Sequence, residues 1–163
     1  MNKKWINLLL LVIAGFIGFY FYNKYKVAPS IDFSKLSLVD LHEQPVKFES
    51  FKGKKLIVCF SASWCPNCLD ELRELNEIKN NELKDVEVLV ISDEPLEKIM
   101  SFKEITDYPF TFLKLTKGFN EIGIFSIPTS YIVNTKLEVK KETVGYLDWK
   151  DPSTAEHLVK LMD

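Results

Sequence analysis

The stretch LIVCFSASWCPNCLDEL, residues 56–72, runs from a continuous apolar segment through two cysteines into an amphipathic pattern. LIVCFS, rich in β-branched and aromatic residues and preceded by the turn-like FKGKK, predicts a central strand buried on both faces. Beyond Cys65 the period changes: Leu69, Leu72, Leu75 and Ile78 recur every three residues along a charged segment, which predicts an amphipathic helix ending near KNNE. Cys65 therefore falls where a buried strand meets a helix N-terminus, with Cys68 one turn further in. Three uses of such a pair compete: half of a zinc site, a structural disulfide, or a pair that opens and closes during a reaction.

Zinc needs two further ligands, and the chain offers only Cys59, His42 and His157, none at a second paired spacing. A permanent disulfide across so short a loop would constrain the unfolded chain only slightly. Redox chemistry suits the position best. Unpaired backbone N–H groups and the positive end of the helix dipole stabilise a thiolate at Cys65, and only the thiolate attacks a disulfide. Cys68, more deeply placed, suits a resolving thiol, and Pro66 is tolerated in the first turn, where it stiffens the ring. Copper(I), which favours soft thiolates, is the rival ligand for the same two sulfurs.

Composition narrows the partners. With 163 residues, 13% aromatic and 27% charged, the chain is long enough and apolar enough for one folded domain. The formal charge of -2 conceals an asymmetry: Lys3, Lys4, Lys24 and Lys26 fall in the first 26 residues, which hold no acid, leaving 17 basic against 23 acidic groups. Arg73 is the only arginine, and this acidic balance argues against nucleic acid as a partner.

The first 26 residues, MNKKWINLLLLVIAGFIGFYFYNKYK, are uncharged from Trp5 to Asn23. That length crosses a bilayer core, and Trp5, Tyr20, Tyr22 and Tyr25 stand at its ends, where amphipathic rings favour the headgroups. A cleaved signal peptide is the alternative, but the apolar run is long for one and no small-x-small site follows. The expected organisation is an anchor over residues 1–26, a tether over 27–35 and a domain over 36–163. The lysines, with the terminal amine, bias the N-terminus to the inside.

Along the domain, LSLVDL and PVKF read as two short strands about the turn HEQ, and VEVLVIS as a further strand. A helix over about Pro95–Ile105 follows, with Pro95 at its first position, then the strand FTFLKL. TKGFNEIGIF is ambiguous between loop and short helix. TSYIV and LEVKKETVGY predict an antiparallel pair about NTK, and PSTAEHLVKLM a closing helix. The pattern implies an α/β fold: a central mixed sheet with helices on both faces.

The motifs resemble those of thioredoxin-fold proteins. LIVCFSASWCPNC, with Trp64 before the first cysteine, is similar to their active-site strand and helix start, and SIPTSYIVN to their cis-proline segment. VDLHEQPVKFESFKGKKLIV, VGYLD and the N-terminal anchor are similar to the TlpA/ResA-like branch of membrane-tethered thiol-disulfide oxidoreductases. The match runs from about Leu36 to Leu161. It implies a thioredoxin-like fold in which Cys65 exchanges with client disulfides and Cys68 resolves. Pro128 would be cis and lie against the cysteines, with the Ile127 backbone free to pair with an extended substrate strand. Trp64 would shield the disulfide, where simple core packing is the competing reading. Pro66 and Asn67 would set the potential and contact substrate. Glu71, on the same helix face as Cys68, matches an acidic position of this branch that could take or give the Cys68 proton; solvation alone would also explain it.

Cys59 departs from the thioredoxin pattern, standing where a buried acid assists the second cysteine; it reads as a small buried hydrophobe. His42 and His157 read as surface residues. A peroxiredoxin is disfavoured because Ala62, not threonine, stands three residues before Cys65. The implied partners are client proteins with cysteines, the membrane, and an upstream membrane thiol-disulfide donor or acceptor. The implied place is the bacterial inner membrane, single-pass, with the catalytic domain in the periplasm or on the outer face. No cofactor and no metal are implied. The expected task is reduction of client disulfides, for example in cytochrome c maturation, with a disulfide-donating oxidant as the alternative direction.

Overall fold

The computed structural model describes residues 3–163. Residues 1–2 of the expected anchor, and the side chains of Lys3, Tyr25 and Lys26, lie outside the described residues. In chain order the elements are α1 (Lys3–Lys26), β1 (Leu38–Val39), β2 (Pro45–Val46), β3 (Lys55–Phe60), α2 (Pro66–Ile78), β4 (Val86–Ser92), α3 (Leu96–Thr106), β5 (Thr111–Leu115), β6 (Thr129–Val133), β7 (Val139–Val144) and α4 (Pro152–Lys160). Short 3-10 turns cover Phe33–Lys35, Phe48–Phe51 and Phe119–Ile122.

The seven strands form one sheet in the order β2-β1-β5-β4-β3-β6-β7. β3 lies parallel to β4 and antiparallel to β6, and β4 is parallel to β5, so the sheet is mixed. The apolar run of β3 alternates between two cores. Ile57 and Cys59 face one, with Leu72 and Leu75 of α2, Ile99 of α3 and Leu158 of α4. Leu56, Val58 and Phe60 face the other, with Phe33, Phe48 and Tyr131. This two-sided burial is why LIVCF carries no polar residue. The helical cover is unequal: α2, α3 and α4 all pack on the first face, and the 3-10 turns with coil such as Ala28, Ile31 and Leu36 cover the second. Two right-handed parallel crossovers in the same direction, β3 to β4 and β4 to β5, put α2 and α3 on one side.

Three local differences from the expected elements have simple causes. Pro95 is the N-cap of α3 rather than its first helical residue, because its ψ of 141° is extended while its carbonyl accepts from Lys98 and Ile99. The ambiguous TKGFNEIGIF contains a 3-10 turn, Phe119–Ile122, closed by the left-handed Gly123. Residues 28–35 of the expected tether are packed: Ala28 and Ile31 lie against the second core, Phe33 is buried, stacked on Phe48 at 4.5 Å, and the Tyr131 hydroxyl donates to the Pro29 carbonyl at 2.8 Å. The apolar span of α1 is exposed, as a lipid-facing helix would be, up to Lys24 at its end, whose ammonium lies over the Phe125 ring, 4.5 Å from its centre.

Candidate active site

The site is built at the C-terminal end of β3. Cys65 is the N-cap of α2, with extended φ and ψ of -92° and 110°, and Pro66 occupies the first helical turn. The Cys65 Sγ accepts the Cys68 backbone N–H at 3.3 Å, so the sulfur sits on one of the otherwise unpaired amides of the helix start. The two cysteines form a disulfide, with Cα atoms 5.2 Å apart. The pair is asymmetric. Cys65 is 6% exposed and Cys68 fully buried.

The Ile127–Pro128 peptide is cis. Pro128 is buried, Ile127 packs against Ala62, Cys65 and Cys68, and the Ile127 carbonyl oxygen lies 3.8 Å from the Cys65 Sγ. The left-handed Gly145, with φ of 89°, donates its N–H to the Pro128 carbonyl at 2.8 Å, which turns the chain from β7 back over α2. A side chain there would be strained, since only glycine enters that region freely. Pro66 and Asn67 are exposed beside the disulfide. Trp64 is 69% exposed, which excludes core packing for it, and Phe125 and Tyr146 are further exposed rings.

Beneath the disulfide lies a buried acid. Glu71 is 1% exposed, although the segment DELRE reads as solvated. Its Oε1 accepts from the Ser130 hydroxyl at 2.7 Å and the Trp149 indole N–H at 3.4 Å. Its Oε2 has no hydrogen-bond partner among the described residues. Burial pushes the carboxyl up to about 7, against the opposing pull of Ser130, Trp149 and the nearby Leu147 amide, and the Glu74 charge adds to the rise. Cys59 is buried and free, paired in register with Ser130 across β3 and β6. Desolvation, and secondarily the Glu71 charge, push its thiol far up, so it stays protonated and inert.

Several neighbours had no visible role in the sequence. Ser130 reads as a strand residue, and its signal is a hydroxyl inside the fully buried strand TSYIV, which must find a partner. Trp149 sits in LDWKD, a stretch without period. Glu74, also buried, accepts from the Tyr146 hydroxyl at 2.7 Å and the Trp149 backbone N–H at 3.2 Å. Glu94, just before the helix expected from Pro95, has a carboxylate that takes both the N–H and the hydroxyl of Ser63, at 2.7 and 2.8 Å, and the Ser92 hydroxyl at 3.2 Å. That clamp ties the end of β4 to the loop carrying Cys65. His42 and His157 are exposed. Among the described residues, no three Cys, His, Asp or Glu side chains gather in a metal-holding group.

This geometry has known counterparts. A protein-family model described as Redoxin matches residues 25–159. The chain is 26% identical over 162 residues to the thioredoxin-like protein YneN of Bacillus subtilis, spanning 93% of this chain and 95% of that protein. It is 27% identical over 149 residues to the thiol-disulfide oxidoreductase ResA of Bacillus cereus, spanning 85% of each. Among solved structures, the crystal structure of StoA from Bacillus subtilis superposes with a TM-score of 0.60 at 22% identity, spanning 78% of this chain and 98% of that one, a likeness of fold.

Proposed function

The chain belongs to the Redoxin family, as a thioredoxin-like thiol-disulfide oxidoreductase, and from that premise we propose that Cys65 is its nucleophile, Cys68 its resolving thiol and Glu71 the acid-base group of the exchange. The asymmetry of the pair supports this order of events. Cys65 reaches the surface and rests on a helix-start amide, which favours its thiolate, whereas Cys68 is sealed beneath it.

In the reducing direction the Cys65 thiolate attacks a client disulfide, forming a mixed disulfide and releasing one client thiolate. The Cys68 thiol passes its proton to the Glu71 carboxylate. The Cys68 thiolate then attacks the Cys65 sulfur, closing the Cys65–Cys68 disulfide and releasing the second client thiolate. The protein pair is oxidised by two electrons and the client disulfide reduced by the same two, and the proton on Glu71 returns to solvent. Trp64, Pro66, Asn67 and the Ile127–Pro128 edge form the client contact, an extended segment pairing with the Ile127 backbone while exposed rings cover its side chains.

Clients are proteins with cysteines. A membrane thiol-disulfide partner upstream re-reduces the pair, and the apolar N-terminal helix holds the domain at a bacterial membrane as a single-pass anchor, with its N-terminus inside and the domain outside. Apocytochrome c is the client class that this reading puts first. Trapping tests the assignment: the full chain carrying C68A should hold a peptide disulfide as a stable mixed adduct on Cys65, and C65A should not. Equal trapping by both variants would overturn the order of the two cysteines. A reduction potential near thioredoxin's, about -270 mV, fits a reductant, and one near about -120 mV would make the protein a disulfide donor.

A further inference from the structure

The two oxygens of Glu71 live in different surroundings. Oε1 receives two hydrogens, from Ser130 Oγ at 2.7 Å and from Trp149 Nε1 at 3.4 Å. Oε2 is buried and receives none from the described residues. The groups around the carboxyl are the Cys59 thiol from β3, the Ser130 hydroxyl from β6, Glu74 from α2, and the Leu147 amide and Trp149 from the segment after β7; Cys68 precedes Glu71 by three residues on α2, the spacing of one helix face. Glu74 is itself engaged by the Tyr146 hydroxyl and the Trp149 backbone N–H, with the Lys150 ammonium at 3.8 Å on its outer side. Among the described residues, no cation pairs with Glu71.

We propose that Ser130 is a positioning residue that divides the work of the Glu71 carboxyl, making Oε1 a fixed acceptor and Oε2 the oxygen that takes and gives up the proton of the exchange. The inference rests on the proton role proposed for Glu71. An oxygen already facing a hydroxyl hydrogen and an indole hydrogen cannot also carry a proton without setting donor against donor. The proton therefore goes to Oε2. Ser130 sits two residues beyond the cis Pro128, on the strand paired with β3, so the backbone that meets the client and the hydroxyl that orients the acid belong to one rigid segment. Because the hydroxyl donates, it favours the ionised carboxylate, and removing it makes Glu71 hold its proton more tightly.

The test is the pH profile of single-turnover oxidation of the reduced full chain by a synthetic peptide disulfide, from pH 5 to 9, with E71Q, S130A and S130T beside the wild type. Beside the inflection of the Cys65 thiolate, which every variant shares, the expected result is a second inflection that E71Q removes, that S130A moves upward by about one pH unit, and that S130T returns to the wild-type position. If E71Q removes the second inflection but S130A leaves it in place, the inference is overturned while the role of Glu71 survives. If E71Q keeps the second inflection, the role of Glu71 fails and the inference with it. Should S130A fail to fold, W149F removes the other Oε1 donor and is expected to move the inflection upward by less; no movement there overturns the inference equally.

Discussion

Glu71 is an acid enclosed by a strand, a helix and an indole, and its cost to the fold depends on pH. Its carboxyl rises from 4.5 to about 7 on folding, chiefly through burial, so the folded chain binds a proton that the unfolded chain has released over that interval. Stability from this group is greatest below about pH 4.5, falls as pH rises towards 7, and stays at its lower level above. The full effect is up to about 3 kcal/mol, taking 1.36 kcal/mol per unit. Urea unfolding of the oxidised protein at pH 5 and pH 8 should therefore show the wild type losing stability that E71Q does not lose; parallel losses would mean that Glu71 is solvated in the folded state. Cys59 makes a second prediction at this scale. Replaced by alanine, it should leave exchange rates within about twofold and cost about 1–3 kcal/mol of stability, as loss of a buried small side chain does; a rate lost in proportion to thiol content would show that this sulfur takes part in exchange.

The loop between β3 and α2 is short, and the end of β4 holds it through Glu94. Alanine at 94 leaves the part-buried Ser63 N–H without its acceptor and should cost about 1 kcal/mol. Glutamine keeps an acceptor for the N–H and offers an amide hydrogen to the Ser63 oxygen, so E94Q should lose clearly less in the same unfolding measurement. Equal losses would mean that charge, rather than hydrogen bonding, holds the loop. At this scale the sequence is legible where a pattern repeats. β3, β4 and α2 declare themselves by apolar run and period, and the cysteine pair by its place between them. Glu94, Ser130 and Trp149 are invisible because their roles come from pairing elements 31, 59 and 78 residues away from their partners. A polar side chain in a strand or loop advertises no such partner. The buried glutamates of α2 mislead for a related reason: their charge reads as solvent-facing, and only the tertiary neighbours that absorb it make burial tolerable.

For the whole molecule, the boundary between anchor and domain matters most. Phe33 is buried between Phe48 and Tyr131, and residues 28–31 lie along the second core, so the folding unit begins before residue 36. A chain beginning at residue 28 should be more stable than one beginning at 36 by about 3 kcal/mol, the scale of losing a buried phenylalanine; matching urea midpoints would return these residues to the role of a loose tether. The Tyr131-to-Pro29 hydrogen bond then sets the slack. Only Val27 and Ala28 separate the last residue of α1 from that fastening, so Lys26 and Pro29 can stand at most about 10 Å apart along extended chain. With α1 in the lipid, the enzyme is moored rather than leashed. A domain so held would stay within a thin film beside the bilayer and sweep it by lateral diffusion, rather than explore the volume beyond.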